Sequence, residues 1–254
     1  MGDDTKRHLL LLRGLAREQR HWGPFPERLR AGLGAEVHCL DLPGVGTEHR
    51  RSSPSTIAEI TEDLRARWRT LRWEHPGSWT LMGVSLGGMI TMQWGATYPE
   101  DFGHVVVVNS STRDLSHPLR RLQRDVVPQL VRSIFDPDPV RRERRVLGFT
   151  TRLATNRDEL ARQWAAYAQE NPIKRRTVLR QIAAAATFRA PEEIPVRTLI
   201  LAGGEDALAD PECALRLARH LRAPLHLHPE AGHDLCTDAP EWVIRQLANF
   251  LEST

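Results

Sequence analysis

A serine framed by glycines marks the stretch of this chain best suited to chemistry. Residues 83–87 read Gly-Val-Ser-Leu-Gly, with an apolar run at 79–82 before them and an amphipathic run at 88–98 after them. This order predicts a strand, a sharp turn and a helix, with the hydroxyl of Ser85 raised clear of the sheet edge. The helix N-terminus would direct its partial positive charge to the same place, which favours a developing oxyanion. The pattern therefore indicates a nucleophilic serine.

A serine nucleophile needs a base and an acid, and two later loops offer them. His233 follows the last predicted strand and Asp206 follows the one before it. Because the carboxyl ends of parallel strands share one edge, we expect both beside Ser85. The imidazole would take the serine proton and return it to the leaving group, while the carboxylate fixes the tautomer of the ring. Glu205 and Asp210 remain alternatives for the acid, although the spacing favours Asp206.

The elements that must position these residues alternate along the chain. Apolar and β-branched runs predict strands at 8–12, 37–40, 78–82, 105–108, 197–202 and 225–228. Helical periodicity predicts helices at 24–33, 56–73, 88–98, 211–221 and 240–251. This alternation predicts an α/β fold with a mostly parallel sheet of about six strands.

The segment 112–189 breaks this alternation. It shows no strand pattern, only helical patterns with punctuation, which predict three or four short helices. Asp138-Pro139 and Asn171-Pro172 are expected to begin two of them, since proline is favoured at the first helical position. We therefore expect a core at 1–111 and 190–254 with a helical cap (lid), 112–189, inserted into it.

These motifs resemble those of the α/β-hydrolase superfamily over nearly the whole chain. Residues 41–46, Asp-Leu-Pro-Gly-Val-Gly, are similar to its D-x-P-G-x-G loop, and residues 203–206 and 231–233 to its acid and histidine loops. The order of serine, aspartate and histidine agrees as well. The resemblance implies an α/β-hydrolase fold with a helical cap, and hydrolysis of a carboxylic ester through an acyl-enzyme intermediate. It also implies an oxyanion hole formed by the backbone N–H groups of Leu15 and Leu86.

Two features depart from the usual family pattern. The first strand is followed by Arg13-Gly14, where family members often have His-Gly. A guanidinium at this place would either alter substrate preference or anchor a loop. Almost no sequence precedes that strand, so the usual N-terminal hairpin is expected to be missing.

The chemistry of the nucleophile narrows the substrate. Within this family, serine excludes the branches that use aspartate on halides and epoxides. Carboxylic esters, thioesters, lactones and C–C bonds next to a carbonyl remain as substrate classes. Of these, we expect a small-molecule ester. No metal-ligand spacing and no nucleotide-binding loop occurs, so neither a metal nor a cofactor is expected. Apolar cap residues could line an acyl slot or merely pack the cap onto the core: Leu130, Ile134, Phe135, Val146, Leu147, Phe149, Trp164 and Tyr167.

The charge of the chain is concentrated in the insert. The protein of 254 residues carries a net charge of +3, yet residues 112–190 hold 17 Arg and Lys against 8 Asp and Glu, a net +9. The layout is similar to that of pimeloyl-[acyl-carrier-protein] methyl ester esterases, which implies an acidic carrier protein as a possible partner of the cap. The alternative is a general preference for arginine on solvated helices. The basic residues concerned are Arg120, Arg121, Arg124, Arg141, Arg142, Arg144, Arg145, Lys174, Arg175 and Arg176.

Two other functional classes fit the sequence less well. A non-catalytic binding protein on this fold would lose the triad, whereas all three residue types are present. A nucleic-acid binder would interleave its basic residues with aromatic ones for base stacking, and the insert does not. No apolar run reaches the ~20 residues of a membrane span, and the N-terminus carries no secretory core, so a cytoplasmic protein is expected.

Overall fold

Six parallel strands form one sheet in the computed structural model, which describes residues 6–253. The strand order is β2-β1-β3-β4-β5-β6, and every neighbouring pair runs parallel. This finding confirms the predicted α/β class and the count of about six strands. The strands are β1 (Arg7–Leu12), β2 (Glu36–Cys39), β3 (Ser78–Val84), β4 (His104–Val108), β5 (Arg197–Gly203) and β6 (Leu225–His228).

Helices cover both faces of the sheet, which explains why the central strands read as continuous apolar runs. On one face, Trp68 and Leu217 join the core with Leu10 of β1, and on the other Phe25 and Leu247 do so with Leu9. The first face carries α2 (Ile57–Glu74), α3 (Leu86–Thr97) and α9 (Glu212–Leu221). The second carries α1 (Phe25–Leu33), α10 (Leu235–Asp238) and α11 (Pro240–Glu252).

The turn between β3 and α3 depends on two glycines. A Cβ atom on Gly83 would lie 2.1 Å from the carbonyl oxygen of Gly87, and one on Gly87 would lie 2.4 Å from that of Leu12. Both obstacles are backbone atoms, so they cannot rotate away. Between the two glycines, Ser85 adopts φ 58° and ψ −114°, a conformation that is strained for any residue with a side chain. The sharp turn predicted from the glycine spacing is present.

The segment between β4 and β5 contains five helices, one more than the upper limit expected from the sequence. The additional element is the single turn α4, which is too short to produce a periodic pattern. The helices are α4 (Pro118–Arg121), α5 (Val127–Phe135), α6 (Pro139–Thr150), α7 (Arg157–Glu170) and α8 (Arg175–Thr187). Among residues 6–253, no helix of the fold is both long and apolar enough to cross a bilayer.

The two predicted helix starts in this segment have different outcomes. Asp138 caps α6, because its carboxylate accepts from the N–H groups of Val140 and Arg141. The start predicted at Asn171-Pro172 is wrong, since Asn171 lies at the C-cap of α7 and α8 begins three residues later than proline. The amide of Asn171 donates instead to the carboxylate of Glu18, 3.1 Å away in the first loop. A distant partner therefore outcompetes the local cap.

We predict that Gly83→Ala lowers the free energy of unfolding by about 1–3 kcal/mol or more, because the added methyl group meets backbone atoms. Gly148→Ala is the control: a Cβ there meets nothing within 4 Å, and alanine in this helix interior should stabilise by about 0.5–1 kcal/mol. Urea denaturation of the three proteins measures both changes. Equal stability of the two variants would contradict the close approach described for the turn.

Candidate active site

His233 and Asp206 meet at the carboxyl edge of the sheet. Nδ1 of His233 donates to Oδ2 of Asp206 over 2.7 Å, and both side chains are buried. The other carboxylate oxygen accepts from the N–H groups of Leu208 and Ala209 at 2.8 and 2.9 Å. The carboxylate is therefore fixed by its own loop, and because Nδ1 carries the proton, Nε2 of the neutral ring is left as the base.

The electrostatic environment of His233 favours proton acceptance. Burial disfavours the charged ring, but the charge and hydrogen bond of Asp206, together with the charge of Asp234, outweigh this effect and raise the pKa of His233 above its ordinary value. The two alternatives for the acid have other roles. Glu205 is exposed, and Asp210 pairs with Arg120 at 2.8 Å. Of the three carboxylates considered in the sequence, Asp206 is the one that contacts the histidine.

Ser85 lies on the strained turn at the same edge, where its backbone is held on both sides. Its N–H donates to the carbonyl of Val108 at 2.8 Å, and its carbonyl accepts from the hydroxyl of Ser110 at 2.9 Å. Within residues 6–253, no hydrogen bond of 3.5 Å or less joins the Ser85 hydroxyl to the His233 ring. Such bonds are often long before substrate binds. Direct contact between these two side chains stays a prediction.

The two expected oxyanion donors flank the serine. Leu86 is the first residue of α3, so its N–H has no partner inside the helix. Leu15 lies in the loop after β1, which approaches the serine closely: a Cβ on Gly14 would lie 3.2 Å from Cβ of Ser85. Neither N–H donates to a protein acceptor in the described part of the chain. An oxyanion hole requires two free donors near one hydroxyl, and the N–H groups of Leu15 and Leu86 stay the predicted pair.

Arg13, the departure from the family pattern, forms a buried ion pair with the residue after His233. Its two terminal nitrogens donate to the two carboxylate oxygens of Asp234 at 3.1 and 2.6 Å, and its guanidinium lies 4.6 Å from the centroid of the Trp22 ring. The side chains of the pair are 5% and 7% exposed. Burial penalises the carboxylate, yet Arg13 prevails and lowers the pKa of Asp234. Of the two roles expected for this guanidinium, the structure supports the anchoring of a loop.

Asn109, which the sequence does not single out, links the ends of β4 and β5 to the histidine loop. It directly follows β4, adopts φ 45°, and accepts from the N–H of Gly203 at the end of β5 over 2.8 Å. Its amide group donates to the carbonyls of Gly232 and His233. The position of the histidine loop therefore depends on this side chain. Its place immediately after a buried strand is the signal that could have identified it.

Comparison with known proteins agrees with this geometry. The sequence model of the family described as "Alpha/beta hydrolase family" matches residues 9–246. The chain belongs to the alpha/beta hydrolase family. The expected superfamily is thereby confirmed, together with its fold.

Individual relatives match over shorter stretches. The chain is 32% identical over 102 residues to the biotin biosynthesis bifunctional protein BioHC of Teredinibacter turnerae, a match covering 39% of this chain and 16% of that protein. It is 27% identical over 135 residues to a pimeloyl-[acyl-carrier protein] methyl ester esterase of Xanthomonas oryzae, covering 53% and 43%. The matches thus span less than half of these relatives.

The fold itself is shared over full length. An alpha/beta hydrolase fold protein from Chitinophaga pinensis superposes with a TM-score of 0.74 over 100% of this chain and 92% of that one, at 18% identity.

The helical insert of this alpha/beta hydrolase forms hydrogen bonds with three loops at the carboxyl edge: the loop after β1, the acid loop and the histidine loop. The side-chain amide of Gln123 donates to the carbonyl of Asp206, and the carboxamide oxygen of Gln181 accepts from the N–H of Ala16. The carbonyl of Thr150 accepts from the N–H that follows His233, at 2.7 Å. The insert therefore contacts loops at the edge on which the candidate residues lie.

The apolar residues proposed for an acyl slot differ in their burial. Leu147 and Trp164 are buried with Ala161 in a small core of the insert, so they hold its helices together. Ile134 and Phe135 of α5 are exposed, Phe135 by 68%. Phe149 is buried, whereas Leu130, Val146 and Tyr167 are partly buried.

Most arginines expected on the basic surface already have acidic partners. Arg144 pairs with Asp158 at 2.6 Å, and Arg145 with Asp136 at the same distance. Lys174 and Arg176 differ, since in the described chain they contact only uncharged oxygens, at 3.5 and 3.4 Å. The start of α8 is therefore one place with free positive charge, and Arg121 of α4, which also contacts only uncharged oxygens, is another.

Side chains with metal-ligand geometry lie elsewhere in the alpha/beta hydrolase fold. Among residues 6–253, three side chains bring their possible ligand atoms within 4.8 Å of one another. They are His8, Glu36 and His38, at the amino edge of the sheet. Their linear spacing does not indicate a site.

We predict that Asp234→Asn lowers the free energy of unfolding by about 3–5 kcal/mol, because it leaves the buried guanidinium of Arg13 without its counter-charge. The stabilisation should be present above the ordinary pKa of aspartate and be lost as pH falls through the lowered pKa of Asp234. Asp158→Asn, which breaks an exposed pair, serves as the control and should cost less than about 1 kcal/mol. Urea denaturation at several pH values measures both. Equal losses in the two variants would refute the role given to the Arg13 pair.

Proposed function

We propose that this protein is a serine hydrolase that cleaves a carboxylic ester, with Ser85 as nucleophile, His233 as general base and acid, and Asp206 as the residue that orients the histidine. The hydrogen bond of 2.7 Å between His233 and Asp206, at the edge that carries the strained serine, is the observation that supports it most directly. Membership of the alpha/beta hydrolase family supports the same reaction class.

The reaction would follow from the positions of these groups. Nε2 of His233 takes the proton of Ser85 as the hydroxyl oxygen attacks the ester carbonyl. The backbone N–H groups of Leu15 and Leu86 donate to the resulting oxyanion. The protonated His233 then gives its proton to the leaving alcohol, and the acyl group stays on the serine. Water, activated by the same histidine, releases the acid and restores the free hydroxyl.

The insert, 112–189, would act as the cap over this reaction. Its hydrogen bonds to the three loops support that placement. The helix α5 also presents exposed apolar residues at positions 127, 131, 134 and 135, which fall on one face at helical spacing. An apolar acyl chain would find contact area along such a face, whereas a purely charged substrate would not.

We predict that Ser85→Ala reduces the turnover of short-chain p-nitrophenyl esters by about 10⁴-fold or more without unfolding the protein, since the serine is held by its backbone. Ser55→Ala, on an exposed turn, is the matched control and should retain full activity. Initial rates and circular dichroism measure the two effects. Similar rates in wild type and Ser85→Ala would refute the assignment, and a wild type without turnover would favour a binding protein.

A second candidate is an ester carried by an acidic carrier protein. Two of the curated relatives are named as pimeloyl-[acyl-carrier protein] methyl ester esterases of Xanthomonas oryzae and Edwardsiella ictaluri. In this chain, Lys174, Arg176 and Arg180 line a small cavity of about 120 Å³ together with Arg51. Guanidinium groups bind phosphate and carboxylate well. This cluster is a better candidate than the arginines of α6, which have internal partners.

We predict that Lys174→Glu combined with Arg176→Glu raises KM for a carrier-linked ester about tenfold at low salt and leaves KM for a free methyl ester unchanged. Arg144→Glu is the control, since that arginine already faces Asp158. Steady-state kinetics on both substrates measure the difference. If KM for the free methyl ester rises as much as KM for the carrier-linked ester, the two charges have a structural role instead.

A further inference from the structure

Four polar side chains gather at the amino edge of the sheet, the end opposite Ser85. His8 lies at the start of β1 and is 1% exposed, and Glu36 begins β2, directly opposite it in the register. His38 lies two residues further along β2. His75 precedes β3, with its Nδ1 3.6 Å from a carboxylate oxygen of Glu36. Three separate segments of chain therefore bring ligand-type atoms to one place.

The orientation of His8 is fixed by its surroundings. Its Nε2 lies 3.2 Å from the carbonyl oxygen of Pro76. A carbonyl can only accept, so Nε2 carries the proton and Nδ1 presents a lone pair. The backbone of Gly77, at φ 144°, lies close to the His8 ring. A Cβ at this position would lie only 3.1 Å from Nε2 of His8. Trp79 stacks on the other side, with ring centroids 4.8 Å apart. A backbone carbonyl that orients a histidine in this way is typical of metal sites.

The lone pair of His8 points at the other two candidate ligands. Nδ1 of His8 is 3.3 Å from Nε2 of His38 and 3.6 Å from Oε2 of Glu36, and the last two atoms are 3.9 Å apart. Ligand atoms around a tetrahedral zinc ion, at 2.0–2.1 Å from the metal, lie about 3.3–3.4 Å from one another. The two nitrogens already have this separation. Glu36 is 50% exposed, so its carboxylate is free to move the few tenths of an ångström that remain.

We propose that His8, His38 and Glu36 bind a divalent transition metal ion, with zinc as the best match. Two imidazoles and one carboxylate form a ligand set that zinc accepts, with the fourth position open beside His75. Alkaline-earth ions prefer all-oxygen ligands and are disfavoured.

The positions of the protons on the two rings follow from these contacts. Without metal, His38 donates to His8 through an N–H···N hydrogen bond. Metal binding replaces this single bond by two coordination bonds and requires only that the proton of His38 move to its Nδ1.

The expected role of the ion is to join segments of the fold. It would link β1 to β2 beside the loop that enters β3, and these strands support the candidate active site at their other ends. A strand of seven residues such as β3 spans roughly 20 Å, so the ion would not touch the reacting groups. The proposal therefore stands whether or not the hydrolase assignment does.

Zinc titration of tag-free, EDTA-treated protein by calorimetry tests the proposal. We expect one ion per chain, and a rise in Tm of about 5–10 °C at a free zinc concentration 100-fold above Kd. Cobalt provides a second readout, since a tetrahedral cobalt site with nitrogen and oxygen ligands absorbs in the visible range without thiolate charge transfer. A thiolate band would place the ion at a cysteine such as Cys39 and overturn the proposal.

Two variants assign the ligands. His38→Ala and Glu36→Gln should each weaken zinc binding at least tenfold, and the control His220→Ala, at an exposed histidine of α9, should leave it unchanged. Glu36→Gln keeps the size of an exposed side chain, so it remains informative if His38→Ala folds poorly. Unchanged affinity in Glu36→Gln and His38→Ala, or the absence of a saturable zinc site in the wild type, would refute the proposal.

Discussion

The buried polar groups at the carboxyl edge of the sheet impose the constraint on which the rest of this structure depends. Loops that leave parallel strands bring backbone and charged groups into a region shielded from water, where an unpaired group is costly. Asn109 supplies hydrogen-bond partners to Gly203 and to the histidine loop, and Arg13 supplies the counter-charge to Asp234. Because each partner comes from a different strand, satisfying the hydrogen bonds also fixes the relative positions of the loops. Order at this edge is thus a consequence of desolvation.

The same constraint explains what the sequence could and could not predict. Strand runs, the glycine spacing around Ser85 and the order of the loops are local patterns, and they sufficed for the sheet and the turn. The pairing of Arg13 with Asp234 joins residues 221 positions apart, and no local pattern reports it. Asn171 failed as a predicted helix start for a similar reason, since its amide found a partner in Glu18, far away in sequence. Contacts between side chains that are distant in sequence decide the roles of these residues, and local helix or strand propensity gives no information about such contacts.

The free charge of the insert also depends on which side chains form ion pairs in the folded chain. A net charge of +9 on residues 112–190 predicts a strong positive surface if every charge is free. In the folded chain, Arg144 and Arg145 face acids of the insert itself, which shortens the range of their field. Lys174 and Arg176 at the beginning of α8, and Arg121 of α4, contact only uncharged oxygens in the described chain. Composition therefore overstates the free charge, and the pairing pattern shows which basic residues carry it.

The two ends of the sheet solve the burial of polar groups by different means. At the carboxyl edge, charged groups are matched by opposite charges and by amides, as Asp234 is by Arg13. At the amino edge, His8 and His38 face each other with a single proton between their nitrogens, and the carboxylate of Glu36 lies close to both rings. Two imidazoles and a carboxylate whose lone pairs converge are stabilised more by a shared cation than by one another. The amino edge is therefore the part of this fold in which a metal ion would relieve an electrostatic cost.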